Sequence, residues 1–289
     1  MTTVILLTIV QWMLAALCQS LFYHRKCSHK LYDFTKLFWE RCTFVLTGIS
    51  LGPGYMTAWK YAWMHILHHR FTDKPGDPHP AGEGPIVMLW EMIKFNFAMS
   101  QEAWDTLEFG VRVEKYLRHF PQWLVTFTLR TLQEIRAMKP TEDDKKKIST
   151  LPRWDEFEQL ASSYVVRISW VVVYVLIYQA NGIHFSTNPG WLLLLLVNMF
   201  MGPLHGFIIN YGAHVVGYHN YNATTHPTIG TSTNFPLVAN LLTVGEGLHE
   251  NHHAKSGKAN FAHKKGEFDL GYQVLRLAQV LGFIKNLRE

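Results

Sequence analysis

Long apolar runs separated by polar, histidine-bearing stretches organise this chain. Residues 1–23 hold no charged side chain and match the ~20 residues that a helix needs to cross a hydrocarbon core. Arg25, Lys26 and Lys30 follow at once, so this end of the span is expected on the cytoplasmic side and the N-terminus outside. With no basic leader and no small-residue cleavage site, the segment reads as a retained helix rather than a signal peptide. A shorter β-branched run, 168–184, and a longer one, 191–211, read as two further spans. The connector 185–190 carries no Lys or Arg, as an outside hairpin should.

The apolar stretch 37–59 is different, because it carries Glu40 and Arg41 near its start and the helix-breaking Gly52-Pro53-Gly54 near its end. A single crossing there would put His24 and His29 on the opposite side from His65, His68 and His69, and they could not share a site. This stretch is therefore expected not to span, but to dip into the bilayer and return or to lie in its interface. Between 86 and 165, amphipathic helical patches at 86–98 and 122–132 alternate with a charged segment at 139–147. Its run Glu142-Asp143-Asp144-Lys145-Lys146-Lys147 reads as a solvated loop, with a docking patch for a redox partner as the sharper alternative. No internal repeat or low-complexity tract breaks the chain. The expected fold is one all-α integral-membrane domain over 1–289, with about three transmembrane helices, one non-spanning apolar segment and a helical cytoplasmic cap.

Composition agrees. Charged residues are 17%, below the roughly one quarter usual in globular domains, and aromatics reach 14%. The net charge of +5 comes without a basic stripe interleaved with aromatics, which argues against a nucleic-acid partner. It suits charge beside a membrane, facing anionic lipid or an acidic acyl carrier. Cys18, Cys27 and Cys42 form no CxxC and leave an odd thiol, so no disulfide framework is expected and a reducing compartment fits. Cys27 lies between two histidines and is a possible soft ligand, although the histidines suffice.

Histidine spacing carries the chemistry. His65, His68 and His69 stand at i, i+3 and i+4, and His249, His252 and His253 repeat that pattern. On an α-helix such positions share one face and can offer three imidazoles to a common point. Asn210 and His214 are four apart at the end of the last apolar run. His24 and His29 are five apart, about 140° on a straight helix, so both reach one centre only if the helix ends between them. One HxxHH alone is commonly an ordinary polar cluster, but this set, each member just outside an apolar run, points to metal. Nine imidazoles exceed what one ion takes, so two metals are expected. Imidazole suits iron, zinc and copper alike; a polynuclear site beside an apolar medium suits O2 activation and C–H abstraction, which favours iron. Asp73, Asp77, Glu246 and Glu250 read as carboxylates that hold ring tautomers, with turn chemistry an equal reading for the first two. His205, inside the last apolar run beside Pro203, is expected to satisfy main-chain groups freed by the proline. His79, His119, His184, His219, His226 and His263 have no partner spacing and read as ordinary polar residues.

HRKCSH (24–29), HILHH (65–69) with DPH (77–79), NYGAH (210–214) and GEGLHENHH (245–253) together resemble the motifs of membrane fatty acyl desaturases of the Δ9, stearoyl-CoA type, over about residues 10–255. The resemblance implies two iron ions. His24, His29, His65, His69 and His252 would hold one; His68, His214, His249 and His253 would hold the other, with Asn210 bound through water. It implies a kinked tunnel for the acyl chain beneath the metals. The chain begins where the family's second spanning helix would begin, and three crossings plus the non-spanning segment are expected.

The function expected from these residues is O2-dependent desaturation of a fatty acyl chain on the cytoplasmic side of a membrane. No flavin, haem or iron–sulfur motif is visible, so electrons should come from a separate carrier such as ferredoxin, rubredoxin or cytochrome b5. A membrane hydroxylase, ketolase or acetylenase is the alternative chemistry, and a non-catalytic metal-binding sensor the alternative class. Acyl-CoA, acyl-carrier protein and acyl lipid all fit a basic face. Lys264-Lys265 and the pair Arg112 and Lys115 could meet phosphate, or be solvated charge at the membrane surface.

Overall fold

The computed structural model describes residues 2–99, 121, 130, 131, 133–135 and 137–289. Arg112, Lys115, His119 and most of the expected patch 122–132 lie outside the described residues. The chain forms two compact units, one of Met1–Ala62 with Leu151–Glu289 and the other of Trp63–Thr150. The described residues are mostly helical, with a single antiparallel strand pair, Asp33–Phe34 with Ile284–Lys285.

In the first unit, an α-helix over Thr2–Leu17 passes directly into a π-helix over Cys18–Ser28. This run of 27 residues is the one described helix long and apolar enough to cross a membrane unaided. The other two expected spans appear as bent pairs, Asp155–Ser162 with Tyr164–Ala180 at 55°, and Trp191–Met199 with Met201–Val215 at 84°. The first bend is a new helix start, where the Ser163 side chain accepts from the Val166 amide. The second follows from Pro203, which has no N–H to give and whose ring excludes the carbonyl four residues back, so Phe200 leaves helical geometry. His205 does not serve that break as expected. It is buried, bonds to the main chain of Thr243 and stands edge-on to Trp12 at 5.9 Å.

The stretch 37–59 runs down the first helix and comes back. Along Leu37–Leu51, Phe44 packs edge-on against Phe22 with ring centres 4.8 Å apart, and Ser50 O accepts from Gln11 Nε2 at 3.2 Å. Gly52, at φ 51°, turns the chain, and by Met56 the main chain is again beside Tyr23, whose hydroxyl donates to Met56 O. Arg167 donates to the carbonyls of Pro53 and Tyr55. Non-helical backbone among apolar helices needs such donors.

A polar knot joins the helices in their apolar section. Gln11 Nε2 donates to Tyr174 Oη at 2.6 Å, Asn198 Nδ2 to Gln11 Oε1 at 2.9 Å, and Tyr178 Oη to Asn198 Oδ1 at 2.7 Å. At the other end of the unit, Leu270–Val280 is capped by Asp269 and packs through Tyr272 and Leu275 on Leu31, Leu248 and Phe261.

The second unit holds most of the helix Ala58–Phe71, the helix Pro85–Ala98 with proline favourably at its first position, and the helix Glu142–Ile148. That last helix corrects the solvated-loop expectation for 142–147. Thr141 and Asp144 form a reciprocal capping box, and three acids at the start and three lysines at the end complement the helix dipole. Asp144 is buried and accepts from Arg70 at 2.9 Å. Trp63 Nε1 donates to Met138 O at 2.9 Å.

Candidate metal centre

In the first unit the π-helix answers the spacing problem of His24 and His29 differently from the expectation. The helix does not end between them; it widens, runs to Ser28, and takes His29 as its cap, with His29 N bonded to His24 O at 3.1 Å. An i→i+5 ladder brings residues five apart onto one face. The two rings stand 4.9 Å apart edge to face. His252 joins them, its Nε2 3.0 Å from His24 Nε2 and its ring 4.6 Å from that of His29. One candidate ligand nitrogen from each of the three lies within 4.8 Å of the others.

A second triad sits beside the first. His214, just after the π-helix Ile208–Gly212, places Nε2 3.1 Å from His249 Nε2, which is 3.2 Å from His253 Nε2. The helix His249–Ala254 serves both triads, with His252 turned to the first and His249 and His253 to the second. Asn210 is half-buried, one turn before His214. Cys27 is buried and belongs to no group of converging ligand atoms among the described residues.

Partners fix the rings. The Nδ1 of His253 lies 3.1 Å from Thr228 O, an acceptor, so Nδ1 carries the proton and Nε2 keeps its lone pair for a metal. His214 Nδ1 meets Thr231 Oγ1 at 3.1 Å. His24 Nδ1 pairs with Glu246, as expected of that carboxylate. Glu246 also accepts from Ser20 at 2.6 Å and Arg25 at 2.8 Å. Burial pushes its carboxyl up, but His24, Arg25 and Ser20 together hold it below the usual range. Desolvation, then the neighbouring His24, His253 and Arg25, hold His29 well below the usual imidazole range, in the neutral form that a ligand needs.

Arg25 and Asp269 were not legible as parts of this site. Arg25 is fully buried, lies 4.0 Å from the Phe261 ring centre, and donates to both Asp269 oxygens at 3.0 and 2.9 Å. Asp269 also accepts from the amides of Phe261 at 2.8 Å and Tyr272 at 2.9 Å. The glycines around the pair are obligatory: a Cβ on Gly271 would stand 2.6 Å from Arg25 Nη1, and one on Gly245 2.1 Å from Asp269 Oδ1. Glu250 departs from its expected role. It bonds not a candidate ligand but His219 at 2.9 Å, along with Asn220 and Asn234, and so ties down the loop between His214 and His249.

In the second unit, His65, His68 and His69 lie in the last turns of Ala58–Phe71, with the rings of His65 and His69 4.5 Å apart. Asp77 Oδ2 meets His68 Nδ1 at 2.9 Å, holding that ring's tautomer, and Asp77 Oδ1 accepts from the His79 amide at 2.9 Å. Burial pushes the Asp77 carboxyl up. Asp73 stands in the turn at φ 56°, with its oxygen accepting from Ala81 N. His79 is not the isolated polar residue expected. Its ring lies 4.2 Å from that of His68, and His68, Asp77 and His79 offer ligand atoms within 4.8 Å of one another. The signal was its place next but one to Asp77, in the turn that follows the helix.

Converging imidazoles, several of them held by an oxygen partner on the far nitrogen, fit divalent iron, zinc or copper. The chain is 25% identical over 266 residues to a protein named sn-1 stearoyl-lipid 9-desaturase from Synechocystis sp., covering 92% of this chain and 65% of that one. It is 23% identical over 283 residues to the protein of the same name from Anabaena variabilis, covering 97% of this chain and 82% of that one. It is 22% identical over 286 residues to Delta-9 desaturase-like 4 protein of Arabidopsis thaliana, covering 97% and 75%. The sequence model of one family, fatty acid desaturase, matches residues 3–265, which contain every histidine of both triads and of the HILHH helix. Since that match covers nearly the whole length, the chain belongs to the fatty acid desaturase family.

Proposed function

We propose that the chain introduces a double bond into a fatty acyl chain, using O2 and a pair of iron ions held by its histidines. The observation that carries the reading is the pair of imidazole triads in the first unit, His24, the half-buried His29 and His252 beside His214, His249 and His253, in a member of this family. The resemblance of the motifs adds His65 and His69 to the first set and His68 to the second, with Asn210 bound through water; on this reading the two units work as one membrane-embedded domain. Bound there, iron would supply the O2-derived oxidising power needed to remove hydrogen from unactivated methylenes. In the first unit Glu246, Thr228 and Thr231 hold the rings of His24, His253 and His214, and in the second Asp77 holds that of His68. The acyl tail would be received by the apolar cavity of about 210 Å³ lined by Leu7, Leu14, Ile49 and Trp170, over a floor formed by the polar knot. Holding the tail is what limits reaction to one pair of carbons.

The balance is two C–H bonds broken and one C=C bond formed. Two electrons and two protons come from the substrate, two electrons from a separate carrier and two protons from water, and O2 leaves as two water molecules. The carrier is a ferredoxin, rubredoxin or cytochrome b5 type of protein, and the site faces the cytoplasm at the membrane surface. Among substrates, an acyl chain already esterified in a lipid is favoured, because two relatives are named for it. The test is reconstitution with ferrous iron under anaerobic conditions, then addition of O2, reductant and a panel of acyl thioesters and phospholipids. A product that has lost two hydrogens, formed with O2 uptake, is expected. A product that has gained oxygen would assign a hydroxylase, and absence of uptake would remove the enzymatic reading.

A further inference from the structure

Between Ala254 and Lys265 the first unit carries Lys255, Lys258, Lys264 and Lys265 and no acid, and all four lysines are exposed. Among the described residues none of the four forms an ion pair. The half-buried Tyr221 gathers this stretch. Lys264 Nζ stands 5.6 Å and Lys255 Nζ 5.8 Å from its ring centre, inside cation–π reach. The Tyr221 hydroxyl donates to His263 Nδ1 at 2.9 Å, and His263 Nε2 donates in turn to Asn260 O at 3.1 Å. Burial, then Lys255 and more weakly Lys258, hold that imidazole below its usual range, so three amines bear on the Tyr221–His263 pair.

Two carboxylates also bear on Tyr221, the half-buried Glu267 and the fully buried Glu250. Both are taken up by donors of the protein itself. Glu267 accepts from the amides of His263 at 2.7 Å and Lys264 at 2.8 Å, and Glu250 accepts from Asn234 Nδ2 at 2.9 Å. The charge offered to solvent is that of the lysines.

Two features say what such a face receives. The first is its connection to the second triad. The His226 ring lies 4.8 Å from that of Tyr221. Two residues on, Thr228 O accepts from His253 Nδ1 at 3.1 Å and Thr228 Oγ1 donates to His253 O at 3.2 Å. An electron arriving at Tyr221 therefore has a short, largely bonded route to a candidate ligand. The second is polarity. No large apolar side chain is exposed in 219–236 or in 243–267. A bilayer or a permanent subunit would be met by apolar surface, whereas transient electron-transfer contacts are small, polar and steered by charge. The charged helix Glu142–Ile148 offers less, because its Lys145 is already paired with Glu142 at 2.7 Å.

We infer that the face around Tyr221, rimmed by Lys255, Lys258 and Lys264, docks an acidic one-electron carrier protein. The inference rests on the redox reading proposed above and names where its partner binds. Two reduced carriers dock in turn for each double bond formed. Each leaves oxidised by one electron, and together they supply the two electrons of the balance given above.

The experiment uses the full chain in mild detergent, with a [2Fe–2S] ferredoxin and the haem domain of a cytochrome b5, both of net negative charge, as probes. Binding should weaken as salt is raised, and a carbodiimide, which joins a carboxylate to an amine across a direct contact, should link the probes to Lys255 and Lys264. Lys255→Gln and Lys264→Gln should each weaken binding roughly threefold, and the double variant roughly tenfold. Lys145→Gln should leave it unchanged. Both lysines of the face are exposed, so equal unfolding temperatures will show that the variants remove charge and not fold. Cross-links confined to Lys145, Lys146 and Lys147 would overturn the inference, as would binding indifferent to salt and to the double variant, or no binding of either probe. In nanodiscs containing phosphatidylglycerol, protection of Lys255 and Lys264 from amine labelling, without any carrier link, would assign the face to lipid and overturn it too. Desaturation is measured separately. Salt-sensitive docking at Lys255 and Lys264 without turnover speaks against the proposed reaction alone, and turnover with docking elsewhere speaks against this face alone.

Discussion

Replacing Asp269 with Asn should destabilise the first unit more than any exposed substitution. The native carboxylate accepts two bonds from Arg25, one from Phe261 N and one from Tyr272 N, all between 2.8 and 3.0 Å. An amide of the same shape keeps one acceptor oxygen and turns an NH2 toward donors, leaving at least one main-chain N–H unmatched and the guanidinium short of a counter-charge. Breaking one side of a buried ion pair costs about 3–5 kcal/mol. Arg25 retains Glu246 at 2.8 Å, which places the expected loss near the lower end, about 3 kcal/mol. Against a total of about 5–15 kcal/mol, that is roughly a hundredfold change in the folded-to-unfolded ratio. Thermal and denaturant unfolding in detergent, followed by tryptophan fluorescence, would measure it. The companion variants Arg25→Met and Arg25→Met/Asp269→Asn complete a cycle. Removing both charges should cost less than the sum of the separate losses, by about 1–3 kcal/mol. A loss below about 1 kcal/mol for Asp269→Asn, or additivity across the cycle, would refute the account of the pair.

His249→Ala removes the ring that lies between His214 and His253, and should lower bound iron and abolish turnover; metal analysis and product assay check this, and full activity would remove His249 from the site. Asp77→Asn should leave helix content by circular dichroism unchanged while weakening metal binding by about 10–100-fold, because the His68 tautomer loses its acceptor. Acid should loosen the second unit through Asp144, whose bond from Arg70 holds its carboxyl down to about 2. A depressed folded-state value means that the stabilisation is complete above the ordinary carboxylate value and disappears as pH falls from about 4 to about 2. Arg70 is 40% exposed, so the contribution is under about 1 kcal/mol. Limited proteolysis across that window should show Asp144→Asn insensitive to the change.

What sequence spacing reveals is side-chain periodicity within one element. The i, i+3, i+4 pattern at His65 and again at His249 was readable for that reason, and Gly52-Pro53-Gly54 announced the turn that brings Met56 back beside Tyr23. The widening of the helix at Cys18–Ser28 was hidden, because an i→i+5 ladder has no composition of its own and is held by the packing around it. Arg25 and Asp269 are 244 positions apart, and no local pattern joins them. Thr141 was a different failure: the capping signature Thr-x-x-Asp was present, but the density of charge after it was taken to mean a loop, whereas the run is a largely solvated helix. Glu250 was placed near the right ring type and bonded to the wrong one, since proximity in sequence to His249 says nothing about which way a carboxylate points.

The broadened helix at Cys18–Ser28 makes that stretch unforgiving of length. Excising one residue before Tyr23 would carry Arg25 into the place of His24, and a cation would then face His252 where an imidazole does now. Exchange of one aliphatic residue for another at Leu21 leaves that register untouched. Among descendants of this sequence, gaps should therefore avoid the eleven positions Cys18–Ser28.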